Sequence, residues 1–327
     1  MGHEACITLD DPSGWNRALD GVRHGFAHTW ENAYAMRLTT GYPTYLYVYT
    51  SGETRIVCPV AERTFSGYVD IVTPYGLSGF VSNGTCPEFG HHWRQFARTR
   101  GYVCGYFAIH PLLMDESLYP VHELEEQNEI YVIDLRRSLD ELFARLSTNR
   151  RRVVRDMDKS MRIVQNRERL ADFFLRHYHE FMSAKGASSV YQFSPQTLSF
   201  LTGLENVFMF GAANEDDRLE SVSMFACTRD VATYLFNVSI PEGRRHAAPL
   251  LWCGIEHARS LDIHWMDLGG GIRKNDSLAE FKRRFGGDAK PLKALKQIYD
   301  TPVFESLCRE VNVDAARSGY FPPYRRP

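Results

Sequence analysis

Asp267-Leu268-Gly269-Gly270-Gly271-Ile272, followed by DSLAEFKRRFG over residues 276–286, is the stretch on which the reading of this chain turns. A short apolar strand, Ile263 to Leu268, runs into three consecutive glycines. A short amphipathic helix then places Phe281, Lys282 and Phe285 on nearly successive turns. Adjacent glycines after a buried strand mean that the backbone bends sharply or comes very close to something else. A lysine flanked by aromatic rings just past that bend is placed to meet a bound group.

Outward from this stretch, the second half of the chain alternates helical and strand periods. Ser138 and Glu141 form a capping box. Leu139, Leu142, Phe143, Leu146, Val153, Val154, Met157 and Met161 then recur as one buried helical face. Helices follow at 169–185, stopped by Gly186, and at 195–203, opened by Ser194-Pro195. The period then changes to strands at 207–213, 221–228 and 231–239, the last two forming a hairpin across Arg229-Asp230. A helix at 248–260, the strand at 263–268, the short helix at 277–285 and a strand at 293–299 complete the half. The first half is looser: a helix at 13–36, strands near 44–50, 54–62 and 67–72, a helix at 88–101 and a strand at 103–109. No residue-level repeat links the halves. Their matching element order predicts an α/β (α+β) protein built twice from one unit, each a mixed, mostly antiparallel sheet flanked by helices.

Composition excludes several classes. The 327 residues favour two domains over one core. Hydrophobic residues at 44% describe an ordinary globular chain, and a net charge of −2 leaves any polyanion contact to local patches. MGHEACITLDD is polar and acidic rather than a signal peptide, and no run approaches a membrane span. Seven cysteines without a CxxC pair argue against both a disulfide framework and a zinc site, and point to a reducing cytoplasmic setting. His91-His92 and His177/His179 lack metal-ligand geometry, so no metal is expected. GGGIRK does not supply GxGxxG, and GLSGF does not supply GxSxG.

Four pieces carry a more specific likeness: Thr73-Pro74-Tyr75-Gly76-Leu77-Ser78-Gly79, Phe107-Ala108-Ile109-His110-Pro111-Leu112, Thr148-Asn149-Arg150-Arg151 and the closing DLGGG…DSLAEFKRRFG. In this order they span roughly residues 30–300, and the chain resembles the FemABX-like family of tandem-GNAT transferases. The resemblance implies a GNAT-like domain at 1–136 on the acceptor side. A second at 137–327 would hold the donor and the catalytic motif, with room for the last residues to pack back on the first domain. It implies transfer of an aminoacyl group from aminoacyl-tRNA to an amine of a peptide or sugar-peptide acceptor, such as a cell-wall precursor or peptide natural product. No bound cofactor is implied, aminoacyl-tRNA being a co-substrate. The alternative is an acyl-CoA-dependent N-acyltransferase on the same fold. The closing motif reads SLAEFK where the cell-wall enzymes carry a tyrosine-containing form.

The family's acyl-transfer centre aligns with Phe281-Lys282, where Lys282 would steady a developing oxyanion; otherwise it is a solvated lysine beside a core ring. Gly269, Gly270 and Gly271, with Arg283, Arg284, Arg244 and Arg245, are the donor-side candidates. The glycines would otherwise make a plain turn. Tyr75, Gly76 and Ser78 would line the acceptor pocket, or merely a hairpin turn. Arg150 and Arg151 would grip an acceptor phosphate or the acceptor arm of tRNA; with Arg155, Lys159 and Arg162 they otherwise form a solvated helix face. Where GNAT enzymes cradle the CoA pyrophosphate, this chain has alanine for the key glycine and Pro249 in place of a backbone donor, which favours tRNA over CoA. Asp267 and Asp276 have simpler roles than catalytic base, as a strand end and a helix cap.

Overall fold

The computed structural model describes residues 2–157, 161–315 and 319–326. The chain divides into two compact units, residues 1–127 with 292–327, and residues 128–291.

In the first unit β1 (His3–Thr8), β2 (Thr44–Ser51), β3 (Thr54–Phe65) and β4 (Tyr68–Val72) pair antiparallel in sequence order. The two-residue β5 (Val81–Ser82) adds to β3. Strand β6 (Tyr102–Ala108) then runs parallel to β4, and residues 294–298 of β13 (Asp288–Ile298) return antiparallel to β6. Helices α1 (Pro12–Leu19), α2 (Trp30–Thr40) and α3 (Phe89–Thr99) accompany this sheet. Trp93 of α3 anchors an aromatic core with Phe80, Phe107 and Tyr47, and its indole N–H donates to Gln297 and Tyr299, each at 3.0 Å.

In the second unit the strand order is β7 (Leu124–Asp134), β12 (Trp265–Gly270), β11 (Val231–Ser239), β10 (Leu219–Cys227), β9 (Val207–Ala213) and β8 (Arg162–Val164). The predicted hairpin is present as β10–β11. Helices α4 (Leu139–Arg145), α5 (Thr148–Arg155), α6 (Arg167–Ala184) and α7 (Pro195–Gly203) precede the meander. Helix α8 (Ala247–Ser260) is the crossover from β11 to its parallel neighbour β12 and buries Leu250, Leu251 and Ile255. Helix α9 (Ser277–Arg283) carries the candidate lysine, and α10 (Thr301–Glu310) belongs to the first unit. Among the described residues no helix is long and apolar enough to cross a membrane.

Two helices expected to be continuous are each divided, for the same reason. Ser and Thr side chains reach local backbone donors more readily at a cap than inside a helix. Residues 13–36 form α1 and α2 because Thr29 caps a new helix, accepting from Asn32 N, after a 3-10 turn at Phe26–His28. Residues 139–161 break at Leu146 because Ser147 caps α5. Helix α5 ends at Arg155, and Lys159 lies outside the described residues. The strand at 263–268 also differs: it extends through Gly269 and Gly270, so the first two glycines are strand rather than bend.

Candidate functional site

The glycines form a β-bulge. Asp267 pairs with Val132 and Gly270 with Ile130, so three steps along β12 match two along β7. Gly269 takes φ +70°, a conformation a side chain would strain. A Cβ on Gly270 would sit 2.3 Å from the Glu129 carbonyl oxygen, so only glycine lets β12 lie this close to β7. On the other side, β12 pairs with β11 only over Trp265–Asp267 against Val231–Thr233. Beyond that point the two parallel strands part.

Lys282 reaches the bulge from α9. Its Nζ donates to the Gly270 carbonyl at 2.6 Å, and the residue is 7% exposed. Burial lowers its pKa to about 8, against the pull of the Asp267 and Asp276 carboxylates. Asp276 fixes the helix that presents it. Its carboxylate accepts from the backbone N–H groups of Ile272, Arg273 and Ala279 at 2.7–2.9 Å. Burial alone would raise its pKa; these donors outweigh that and hold it below the usual value. Asp267 is buried and accepts from Gly269 N at 2.6 Å. Both acids are thus occupied with backbone donors.

The sequence candidates around α9 come together in part. Phe281 packs on the core, and the Arg150 guanidinium lies 4.7 Å from its ring centre and 5.7 Å from that of Phe285. The pKa of Arg150 is lowered by burial and by Arg284. Arg283 and Arg284 both bind Glu280 on their own helix, which neutralises much of that basic patch. Among the described residues Arg151 reaches Thr148. The fit of α9 against the α4–α5 turn comes from Arg145, which donates to Gly286 O, and from Ser147 N, which donates to Arg284 O.

Arg244 and Arg245 stand elsewhere in the unit, exposed on the 3-10 segment Pro241–His246 that opens α8. Sequence reasoning missed what lies beneath them. Glu220, 5% exposed, accepts from or pairs with the buried His246 ring at 3.1 Å and Arg245 at 3.7 Å. The His246 pKa is lowered by burial, with the Glu220 contact opposing. The sequence signal was a glutamate in a strand with no other charged residue.

In the first unit, residues 73–79 fold as the loop joining β4 toward β5. Gly76 has φ +119° and packs against Ala27, while Asn32 donates to Tyr75 O at 3.0 Å. Ser78 bridges to Ile109 in backbone pairing, and its Oγ is buried with no hydrogen-bond partner among the described residues. Behind it lie two buried histidines that sequence reasoning did not weigh, His28 and His110. Among the described residues no cluster of three or more His, Cys, Asp or Glu side chains is arranged to hold a metal ion.

Two α/β units, a parallel strand pair that parts, and a crossover helix opening at the split define an architecture with known counterparts. The chain has the FemABX-like tandem-GNAT fold. The solved structure of FemX superposes with TM-score 0.70 at 11% identity, over 93% of this chain and 99% of that one. The structure of L-PGS from Bacillus licheniformis gives 0.58 at 12%, over 91% and 95%. A tandem GNAT protein from the clavulanic acid biosynthesis pathway gives 0.50 at 12%, over 91% and 99%. No family model matches the chain, and no curated protein matches it by sequence.

Proposed function

We propose that this protein is a transferase that forms an amide by moving an aminoacyl group from aminoacyl-tRNA to an amine of a peptide or sugar-peptide acceptor. The observation that carries the reading is Lys282, buried and anchored on Gly270 O where β11 and β12 part. An ammonium has three N–H donors, and the Gly270 carbonyl takes one. Two remain for the oxygen that becomes an oxyanion when an amine adds to the ester carbonyl. In the low-dielectric setting of the bulge such donors are worth far more than in water. At pH 7 a pKa of about 8 leaves roughly nine in ten of the lysines charged.

The step balances without a cofactor. The neutral amine nitrogen forms the C–N bond to the acyl carbon, the tetrahedral oxyanion collapses, and the bond between that acyl carbon and the ribose oxygen breaks. The departing ribose oxygen takes the proton that the amine loses. Asp267 and Asp276, held by backbone donors, position the bulge and α9 rather than move that proton.

An acyl-CoA donor is the second reading, because α8 begins without a side-chain cap and so offers backbone N–H groups to an anion. Against it, Pro249 removes one donor, and the Glu220 carboxylate already pairs with Arg245 of the loop and contacts the His246 ring.

The test is transfer from a panel of charged tRNAs to amine acceptors by purified protein, with Lys282→Met alongside. Product should require intact tRNA, disappear with ribonuclease, and fall by about 100-fold or more in the variant, the scale of losing an oxyanion donor. Near-normal turnover in Lys282→Met would remove the site assignment. Transfer from acyl-CoA alone would establish the second reading.

A further inference from the structure

A cavity of about 370 Å³ opens in the second unit beside α6, lined by Arg169, Asp172, Phe173, Arg176, Arg218 and Ile240 among others. Arg169, Phe173 and Arg176 recur at helical spacing and share one face of α6. Arg218 leads into β10, and Ile240 follows the end of β11, whose Ser239 pairs with Ser221 of β10. The cavity therefore sits where one end of the β10–β11 pair meets the helix.

Its charges are unequal in what they already bind. Arg169 is spent on Asp217, which Arg162 also holds. Among the described residues neither Arg176 nor Arg218 has a side-chain partner, although Asp172 lines the same cavity. Three arginines face one aspartate, over an apolar floor made by Phe173, Leu219 and Ile240. Two unengaged guanidiniums at a concave, partly apolar surface suit an oxyanion that accepts planar, paired N–H groups, and phosphate is the common biological case.

The neighbouring loop explains why an anion belongs here rather than at the start of α8. Ile240 N donates to Glu220 O at 3.0 Å, and the chain then turns through Pro241–His246 over the buried Glu220. A Cβ on Gly243 would meet Glu220 O at 2.0 Å, so the segment lies tight on β10. Glu220 with His246 and Arg245 fills this place with the protein's own carboxylate. A phosphate approaching it meets like charge, whereas the cavity a few residues away along the same strands presents net positive charge.

We propose that the cleft between α6 and the Arg218–Leu219/Ile240 end of the sheet binds a phosphate group through Arg176 and Arg218. The geometry stands by itself; the identity of the phosphate as a phosphodiester of the donor RNA rests on the aminoacyl-tRNA reading. A nucleotide diphosphate such as that of CoA is the other source of the same chemistry.

The experiment measures binding of inorganic pyrophosphate, a short RNA hairpin with a CCA end and CoA to the full chain and to R176Q/R218Q. Circular dichroism and thermal unfolding confirm that the variant is folded. Pyrophosphate should bind the parent and bind the variant at least tenfold more weakly, and Arg176→Lys/Arg218→Lys should recover only part, since lysine keeps charge but not the paired donors. For the hairpin, the variant should also lower the slope of log K against log salt by about one to two. Loss of hairpin binding identifies the phosphodiester source. Loss of CoA binding with hairpin binding intact keeps the phosphate site and overturns its assignment to a phosphodiester of the donor RNA. Equal pyrophosphate binding by parent and variant, or none by the parent, overturns the site, while tRNA-dependent transfer in the same preparations would leave the reaction assignment standing.

Discussion

Lys282 Nζ donates to the Gly270 carbonyl oxygen at 2.6 Å, joining the last turn of a seven-residue helix to a bulged strand. The contact explains why a lysine can be buried there: one proton is satisfied and two nearby carboxylates favour the charge. It also explains why the bulge matters, since a regular strand would place that carbonyl differently. Lysine and glycines act as one device, and the expected effects of changing each follow from that.

The pH dependence of transfer should report Lys282. Its pKa in the folded protein is about 8, below its ordinary 10.5, so the catalytic charge is lost as pH rises through 8. The profile of kcat/KM should fall on its alkaline side near that value. Lys282→Arg, charged throughout, should lack this limb even if its rate is lower. For stability the sign is opposite. Between pH 8 and 10.5 the unfolded chain holds the proton that the folded chain has released, so stability rises with pH over that window. The drop in pKa corresponds to about 3 kcal/mol at lower pH, offset by the hydrogen bond to Gly270. Lys282→Met should therefore unfold at or above the parent's Tm at neutral pH while losing transfer.

Alanine at the bulge should separate strain from collision. Gly269→Ala places a side chain at φ +70°, a cost of about 1–2 kcal/mol, and puts its Cβ 3.0 Å from Nζ of Lys282. Gly270→Ala drives a Cβ to 2.3 Å from the backbone oxygen of Glu129, and backbone cannot swing aside as a side chain can. Gly270→Ala should be the more destabilising, by about 1–3 kcal/mol in denaturant unfolding, and both should lower kcat more than they raise KM. A Gly270→Ala protein with parental stability and rate would mean that the close approach to β7 is not required.

Much of this architecture was legible because patterning and burial agree. The β10–β11 hairpin, α8 and α9 stand where apolar period and caps place them. The departures turn on which partner each residue finds, in several cases one far away in the sequence. Whether Ser147 continues a helix or caps a new one depends on Arg145 and Ser147 being tied to Gly286 and Arg284, some 140 residues on. Whether three glycines bend or bulge depends on β7, a strand sequence reading did not register. Arg283 and Arg284 look like a free basic patch in sequence, yet their helical spacing from Glu280 lets one carboxylate hold both. The buried Glu220–His246 pair joins residues on separate elements, and nothing in either neighbourhood announces the other.

Arg150 should be sensitive to shape rather than charge. It lies over Phe281 and Phe285, half-buried, with no hydrogen-bond partner for its Nε among the described residues. A planar guanidinium stacks where an ammonium does not. Arg150→Lys should thus cost about 1 kcal/mol or more in stability and leave Phe281 less ordered. Tryptophan-independent probes such as fluorine-labelled phenylalanine would read that order directly. If Arg150 instead serves a bound phosphate, Arg150→Lys would leave stability alone and raise KM for the RNA donor.

Ser78 offers a similar contrast in the first unit. Its Oγ is buried and has no hydrogen-bond partner among the described residues, so removing the hydroxyl costs no hydrogen bond among them. Ser78→Ala should be neutral or slightly stabilising in thermal unfolding. A role in holding the acceptor would show as a rise in acceptor KM with the donor KM unchanged. Unchanged kinetics would reduce the 73–79 loop to a structural turn.

His28 sets an acid limit on the same unit. It is fully buried, and burial, with His24 and His110 adding repulsion, lowers its pKa to about 3. The unfolded chain takes up a proton near pH 6.5 that the folded chain refuses until about pH 3, so stability falls progressively across that interval. Gly25 N donates to its Nδ1 at 3.2 Å, which makes a neutral, acceptor-capable ring part of the fold. His28→Gln keeps an acceptor without a titrating group. Its midpoint in urea should be lower at pH 7 and fall less steeply between pH 6.5 and 4 than that of the parent. Parallel lines for the two proteins would mean that His28 is protonated in the folded state and that another group governs the acid response.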